Sequence, residues 1–240
     1  MSSIKNEGLD SLLYCIKIFM ARKFAIGDIH GCNKTFKKLL LEVLKLTRQD
    51  ELVLLGDYID RGPDSLGVIQ TILKLQNAGY TIHCLRGNHE QMMMDSATDV
   101  TAYFQWLFNG GEQTLASYNK TRFQDFPEVY RDFFNSTKLY LELDKCILVH
   151  AGLNFENENL FEDQDAMLWT RNFKIDTVKL ASRILVHGHV PIALDKILAQ
   201  KSNCFNIDGG CVFTNSKRNL GKLVAMDLEN FSFHYTTCID

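Results

Sequence analysis

Short apolar runs alternate with amphipathic segments along the first third of the chain. The apolar run at residues 23–26 has the length of a strand, and Phe36, Leu39, Leu40, Val43 and Leu44 then recur with helical spacing. The order repeats with a predicted strand at residues 52–55 and a predicted helix at 65–78, and a third strand is predicted at 80–85. Strands that alternate with helices indicate a parallel sheet with right-handed crossovers.

The pattern changes after residue 90. Residues 91–135 contain short helical segments broken at Asn109-Gly110-Gly111, which predicts a helical insertion over or beside a site. Its run of three methionines, 92–94, is interpreted as core packing. Strand-length runs then dominate, at residues 139–143, 146–150, 184–186, 205–208, 222–228 and 231–235. Their closer spacing predicts a second, mixed sheet. The sequence therefore predicts an α/β two-sheet sandwich flanked by helices, with one domain at 20–240 and an accessory arm at 1–19.

Composition narrows the class of protein. The chain has 240 residues, 46% hydrophobic and 23% charged, as expected for a soluble globular domain. A net charge of -3 argues against nonspecific nucleic-acid binding, which needs a basic face. The apolar run at 9–21 is interrupted by Asp10 and Lys17, which is not typical of a signal peptide, and it is too short to span a bilayer. We therefore expect a cytoplasmic protein without membrane association.

The seven cysteines also favour a cytoplasmic location. They are Cys15, Cys32, Cys84, Cys146, Cys204, Cys211 and Cys238. None forms a Cys-x-x-Cys pair and several lie in apolar runs, so we expect reduced, mostly buried thiols and disfavour a zinc ribbon.

Polar side chains cluster where five of the predicted strands end. They are Asp28 and His30; Asp57, Asp60 and Arg61; Asn88 and His89; His150; and His187 and His189. A single residue of this kind is more often a turn or core group, but five sets beside glycines or short turns indicate a shared crevice at the strand ends. His83 and His234 lie inside predicted strands and are interpreted as structural.

The residue types at these strand ends suit metal-assisted phosphoryl chemistry. Imidazole and carboxylate ligands without thiolates are typical of Mn, Fe or Zn sites. One carboxylate can bridge two ions about 3.5–4 Å apart, and a guanidinium such as that of Arg61 fits a pair of phosphate oxygens.

The motifs in their order resemble those of the calcineurin-like metallophosphoesterases. They are Gly27-Asp28-Ile29-His30-Gly31, Gly56-Asp57-Tyr58-Ile59-Asp60-Arg61-Gly62, Gly87-Asn88-His89-Glu90, His150-Ala151-Gly152 and Gly188-His189. More narrowly, they resemble the phosphoprotein phosphatase family of serine/threonine phosphatases, in its bacterial and bacteriophage branch. The stretches 106–111, 168–171 and 207–210 extend the likeness, which covers about Phe24 to Phe213.

The resemblance implies a role for each residue. Two divalent ions are expected, Mn²⁺ first and Fe or Zn as alternatives. The implied ligands are Asp28 and His30 for the first ion, Asp57 bridging both, and Asn88, His150 and His189 for the second. Arg61 and Arg171 would hold the phosphoryl oxygens. His89 would protonate the leaving oxygen, Asp60 would orient His89, and a hydroxide bridging the ions would attack phosphorus directly. His187 is either a support for the ligands or structural.

These roles favour one activity and leave another open. The expected activity is metal-dependent hydrolysis of phosphoserine and phosphothreonine in proteins, so the expected partner is a phosphoprotein or a phosphorylated small molecule. The alternative is hydrolysis of dinucleoside polyphosphates such as diadenosine tetraphosphate, or of related nucleotides. A noncatalytic phosphate-binding module is disfavoured, because ligands, arginine and acid are all present. The sequence does not determine the oligomeric state.

Overall fold

The strands of the computed structural model form two sheets. The model describes residues 21–216 and 218–240. The strands are β1 Lys23–Ile26, β2 Glu51–Leu54, β3 Thr81–Cys84, β4 Tyr140–Glu142, β5 Cys146–Val149, β6 Ile184–His187, β7 Cys204–Asn206, β8 Lys222–Asp227 and β9 Phe233–Thr237. One sheet has the order β3-β2-β1-β8-β9 and the other β4-β5-β6-β7. Within the sheets, β1, β2 and β3 run parallel, as do β5, β6 and β7.

The predicted second, mixed sheet is confirmed, but its membership was partly wrong. We expected the strands near 222–228 and 231–235 to belong to it, whereas both join the first sheet, where β8 pairs antiparallel with β1 and β9 pairs antiparallel with β8. β8 is buried at five of its six positions. Its side chains alternate between two cores, with Leu223 in one and Val224 in the other. Apolar residues on both faces fit a central strand of either sheet, so periodicity alone cannot assign the sheet.

Helices cover the outer faces of the sheets. They are α1 Asn33–Lys38, α2 Ser65–Asn77, α3 Asn88–Asp95, α4 Val100–Trp106, α5 Glu112–Tyr118, α6 Glu128–Asn135, α7 Gln164–Trp169 and α8 Leu194–Leu198. A π-helical turn, Leu39–Val43, extends α1; another, Leu107–Gly111, joins α4 to α5; and Phe123–Asp125 is a 3-10 turn. The expected insertion at 91–135 is helical, although its first helix already begins at Asn88.

The core has three layers that follow the alternation of side chains along the strands. Phe24 and Ile26 of β1 face α1, α2 and the helical insertion, while Ala25 points between the two sheets. A third layer lies between the second sheet and α7, where Ile147 packs with Met167. Met92 and Met93 are buried in the first layer, which confirms that the methionine run is core packing.

Asn33 connects the start of α1 to α2. It is the first helical residue of α1, and its side chain donates to Asp64 Oδ2 at 2.7 Å and accepts from Thr71 Oγ1 at 2.9 Å. Asp64 in turn caps α2 by accepting from the amide of Gly67. The side chain of Asn33 therefore links α1 to α2 through these hydrogen bonds.

Three sequence predictions concern chain ends, membranes and thiols. The accessory arm at 1–19 lies outside the described residues. In the described part of the chain, no helix has the length and apolarity that crossing a membrane requires. The cysteines there, Cys32, Cys84, Cys146, Cys204, Cys211 and Cys238, are free thiols, as expected.

Candidate active site

The strand ends of both sheets converge on one cleft. The loops after β1, β2 and β3 bring residues from the first sheet, and those after β5, β6 and β7 bring residues from the second. All the predicted histidine, aspartate and asparagine ligands lie there and are buried, except His189, which is partly buried. Parallel strands of two facing sheets thus place their carboxyl ends at a common edge, where ligands bind in such folds.

One cluster of donor atoms joins Asn88, His150 and His189. Asn88 Oδ1 lies 2.9 Å from His150 Nε2 and 2.9 Å from His189 Nδ1, and the two ring nitrogens are 3.2 Å apart. His150 Nδ1 donates to the carbonyl of Leu55 at 3.0 Å, so Nε2 carries a lone pair. That lone pair faces the lone pairs of an amide oxygen, an arrangement that a cation between them would stabilise.

The pKa values of the histidines support neutral ligands in this cluster. Burial, then the neighbouring His150, lower the pKa of His189 to about 3. Burial also lowers the pKa of His150, despite the nearby Asp57 carboxylate. Neutral imidazole is the form that binds metal ions.

A second cluster joins His30, Asp57 and His89. His30 Nδ1 donates to the carbonyl of Ile59 at 2.8 Å, and its Nε2 lies 3.5 Å from Asp57 Oδ2. The other oxygen, Asp57 Oδ1, lies 3.5 Å from His150 Nε2. Asp57 therefore presents one oxygen to each cluster, which is the geometry of a bridging ligand. Burial alone would raise the pKa of Asp57, but the surrounding histidines lower it below its usual range, so this carboxylate is ionised.

Asp28 lies beside both clusters. Its Oδ2 accepts from the backbone amide of His189 at 3.1 Å, and a Cβ at Gly188 would collide with its Oδ1. Burial, followed by the carboxylates of Asp208 and Asp57, raises the pKa of Asp28 well above its usual value. Acidic groups gathered in a buried cleft with neutral imidazoles fit a pair of divalent cations, which would offset the repulsion between the carboxylates. The predicted ligands are Asp28, His30, Asp57, Asn88, His150 and His189.

Several site residues have left-handed backbone conformations. They are His30, Asp57, Asp60, Arg61 and His189, with φ between 46° and 71°. Such conformations are uncommon for residues other than glycine and concentrate at functional sites. Here the loops are held by close contacts, because a Cβ at Gly87 would collide with the carboxylate of Asp57.

Glu90 fixes the loop that carries Asp57. Its Oε2 accepts from the amides of Asp57 and Gly87 at 2.8 and 2.9 Å, and its Oε1 accepts from the amide of Tyr58 at 2.9 Å. Burial raises the pKa of this carboxyl to about 8. Glu90 thereby connects the loops after β2 and β3, a role that the sequence analysis did not assign.

His89 and Asp60 form a buried pair. His89 Nδ1 donates to Asp60 Oδ2 at 2.6 Å, and Asp60 also accepts from Trp106 Nε1 at 3.0 Å and from Thr114 Oγ1 at 2.6 Å. Burial lowers the pKa of His89, but the carboxylates of Asp57 and Asp60 outweigh that effect and raise it overall. Burial also raises the pKa of Asp60, although its hydrogen bonds oppose that effect. The Nδ1 proton of His89 thus points at a carboxyl group that the helical insertion holds in place.

The two predicted phosphate-binding arginines differ in how they are held. Arg61 Nη1 lies 2.7 Å from His30 Nε2, its backbone amide donates to Gly110 O at 3.2 Å, and its guanidinium lies over the ring of Phe213. Arg171 is exposed in the segment after α7, and its charge contributes to the low pKa of His189. The structure thus places Arg61 in the cleft and Arg171 at its rim.

The other three histidines were predicted to be structural or, for His187, either structural or a support for the ligands. His187 is buried, its Nδ1 lies 3.1 Å from Gly188 O and its ring packs against Phe173. His83 lies in β3 and contacts Glu51, and His234 lies in β9 and packs edge-on against Phe24. None of the three belongs to the donor clusters of the cleft.

Sequence reasoning missed the residues that support the site. Glu90, Trp106, Thr114 and Asp208 are buried beside it. Asp208, with two glycines after it at the end of β7, and Glu90, within a recognised motif, had signals in the sequence. Trp106 begins the recognised stretch 106–111, but nothing local indicates its contact with Asp60 across 46 residues. Thr114 had no signal, and it reaches Asp60 across 54 residues.

Comparisons with known proteins agree with this geometry. Residues 22–223 match the calcineurin-like phosphoesterase family. The chain is 44% identical to serine/threonine-protein phosphatase 1 of Salmonella typhimurium over 89 residues, which span 37% of this chain and 38% of that protein. It is 26% identical to the asymmetrical bis(5'-nucleosyl)-tetraphosphatase PrpE of Oceanobacillus iheyensis, over 79% of this chain and 84% of the relative.

A solved structure supports the fold in particular. A crystal structure provisionally named a diadenosine tetraphosphatase superposes with a TM-score of 0.65 at 20% identity, covering 91% of this chain and 94% of the other. At that identity the likeness concerns the fold alone.

Proposed function

Because this chain belongs to the calcineurin-like phosphoesterase family, we propose that it removes phosphate from serine and threonine side chains of proteins, using two divalent metal ions. It is a hydrolase of the metallophosphoesterase family, and the proposal concerns its substrate and its metal. The observation that carries the proposal is the buried His89–Asp60 pair, with its 2.6 Å hydrogen bond.

This pair favours a phosphomonoester with a poor leaving group. A serine or threonine alkoxide is strongly basic and must receive a proton as its bond to phosphorus breaks. The leaving group of a dinucleoside polyphosphate is a nucleotide phosphate, which is much less basic and needs that proton less. His89, held as a proton donor by Asp60, is therefore of most use when the leaving oxygen belongs to serine or threonine.

The residues of this chain divide the remaining work. The ions, held by the six predicted ligands, supply Lewis-acid activation of the phosphoryl group and of water when bound. We infer Mn²⁺ as the ion from the mixed imidazole, carboxylate and amide donors. Arg61 holds the phosphoryl oxygens within the cleft, and Arg171 reaches them from the rim. Glu90 keeps the Asp57 loop in place while the proton of His89 passes to the leaving oxygen.

A second candidate function is hydrolysis of dinucleoside polyphosphates. A relative that matches 79% of this chain is named a bis(5'-nucleosyl)-tetraphosphatase. Trp169 supplies a structural reason, because 41% of its surface is exposed and its ring lies 6.5 Å from that of His189. An exposed indole beside the cleft can stack on a nucleobase, a contact worth about 1–3 kcal/mol in single-stranded nucleic-acid sites.

Replacing Trp169 separates the two candidates. On the proposed function, kcat/KM for a phosphoserine peptide exceeds that for diadenosine tetraphosphate, and Trp169→Ala changes each by less than about threefold. If the nucleotide is the substrate, the preference reverses. The same variant then loses roughly 5- to 150-fold on the nucleotide, as expected for about 1–3 kcal/mol of stacking. Phe104→Ala, which truncates an exposed aromatic side chain on α4, is the matched control.

A further inference from the structure

Three thiols meet next to the loop after β1, where Cys32 Sγ lies 3.5 Å from the carbonyl oxygen of His30. Cys32 precedes α1, Cys211 follows Gly209-Gly210, and Cys238 follows β9. Their sulfur atoms all lie within 4.8 Å of one another, and the sulfurs of Cys32 and Cys238 are 3.8 Å apart. Cys32 and Cys238 are 206 positions apart in the chain, so no spacing motif marks the cluster in the sequence.

The 3.8 Å between the sulfurs of Cys32 and Cys238 matches the separation of two thiolates bound to one metal ion. A zinc–sulfur bond is about 2.3 Å long, and the edge of a tetrahedron with that radius is about 3.8 Å. Cys32 and Cys211 are buried, with 1% and 0% of their surface exposed, whereas Cys238 is partly exposed. An ion can therefore reach the cluster from the side of Cys238.

The segment that carries Cys238 is held in place independently of any ion. The amide of Cys238 donates to Gly221 O at 2.9 Å, and that of Ile239 donates to Thr35 Oγ1 at 2.9 Å. The side chain of Asp240 accepts from the amides of Lys34 and Thr35 at 3.0 and 2.9 Å, in the first turn of α1. The third thiol is thus fixed against the other two by backbone hydrogen bonds. Such preorganisation lowers the entropic cost of binding.

We propose that Cys32, Cys211 and Cys238 bind a thiophilic metal ion of the zinc type, at a structural site separate from the catalytic ions. Soft thiolate ligands favour such ions, whereas the cleft offers only nitrogen and oxygen donors. Each thiol releases its proton to the buffer as it binds. The ion links the loop after β1, the segment after β7 and the segment after β9. Cys32 lies two residues from His30, so the site stabilises a loop that carries a catalytic ligand. The proposal does not depend on the substrate of the enzyme.

Cobalt substitution tests the proposal, because thiolate–cobalt bonds give intense charge-transfer absorption that nitrogen and oxygen ligands do not. The full chain is reduced, treated with chelator and titrated with Co²⁺ alone. We expect a near-ultraviolet charge-transfer band that saturates at about one thiolate-bound ion per chain, and Zn²⁺ should abolish it. Cys211→Ser and Cys238→Ser should each lose most of the band. Cys204→Ser, which changes a partly buried thiol of β7 outside the cluster, should retain it.

Two results would overturn the proposal. One is the absence of a thiolate charge-transfer band in the reduced wild-type protein, a result that does not depend on how any variant folds. The other is a band of unchanged intensity in Cys211→Ser and Cys238→Ser, which would place the bound cobalt at other thiols. As an independent readout, one equivalent of Zn²⁺ should raise the Tm of the wild type more than that of Cys238→Ser.

Discussion

His89→Asn is expected to slow hydrolysis of a phosphoserine peptide by roughly 10²–10⁴-fold, the usual contribution of general acid catalysis. On p-nitrophenyl phosphate the loss should be clearly smaller, because nitrophenolate leaves without needing a proton. The variant should fold, since Asp60 keeps its hydrogen bonds from Trp106 and Thr114. The measurement is kcat for both substrates in wild type and variant, with metal content determined for each.

Two further variants test whether the loss in His89→Asn comes from its role as a proton donor. Asp60→Asn should show the same bias more weakly, because it disturbs the orientation and charge of the imidazole without removing the ring. Arg61→Ala should reduce both activities about equally, because both substrates present the same phosphoryl oxygens. Since His89 also lies in the donor cluster with His30 and Asp57, a metal role is the competing explanation. Equal losses of His89→Asn on both substrates, accompanied by loss of metal, would move His89 from the acid role into metal support.

Asp57→Asn is expected to be the most damaging change to a ligand. Its two oxygens face different clusters, so replacing one of them with an amide nitrogen weakens both ion sites at once. Several kcal/mol of charge stabilisation at phosphorus depend on those ions, which corresponds to a loss of about 10²–10³-fold or more in kcat/KM. Metal analysis should find fewer than two ions per chain.

Asp57→Asn should change the side chain without disturbing the backbone conformation. Asp57 has φ of 51°, and asparagine adopts this left-handed conformation as readily as aspartate does. The fold should therefore be retained, as circular dichroism can show. Asp165→Asn, an exposed position in the first turn of α7, is the matched control and should keep activity and metal. Two bound ions and near-normal turnover in Asp57→Asn would contradict the bridging role.

The sequence predicts the candidate site because each candidate ligand lies at or near the end of a short apolar run, and all of them except His150 lie next to a glycine. That local pattern is enough to place Asp28, Asp57 and Asn88 at the ends of parallel strands. The topology of the sheets then brings these ends together with His150 and His189. The prediction of the site came from the residue types and their order along the chain, and the structure adds the distances between the donor atoms.

The rest depends on contacts between distant segments, which local patterns do not encode. β8 is apolar on both faces, so nothing in its sequence assigns it to the first sheet. Thr114 looks like an ordinary residue of an insertion, and although Trp106 belongs to the recognised stretch 106–111, only packing brings the two side chains to Asp60. The left-handed backbone conformation of His30 is likewise imposed by its surroundings, because its ring Nδ1 and its backbone amide donate hydrogen bonds to carbonyl oxygens of the loop after β2. These contacts between distant segments determine how firmly the loops hold the side chains of the site.

If the nitrogen and oxygen donors of this cleft hold two ions on which all phosphoester hydrolysis depends, removal of the ions must abolish turnover. The most direct measurement is turnover of a phosphoserine peptide by the full chain after chelation and during Mn²⁺ titration, with bound metal counted at each point. We expect activity to disappear in the metal-free protein and to return as the cleft takes up two ions per chain. Full turnover in a sample verified to be free of metal would contradict it.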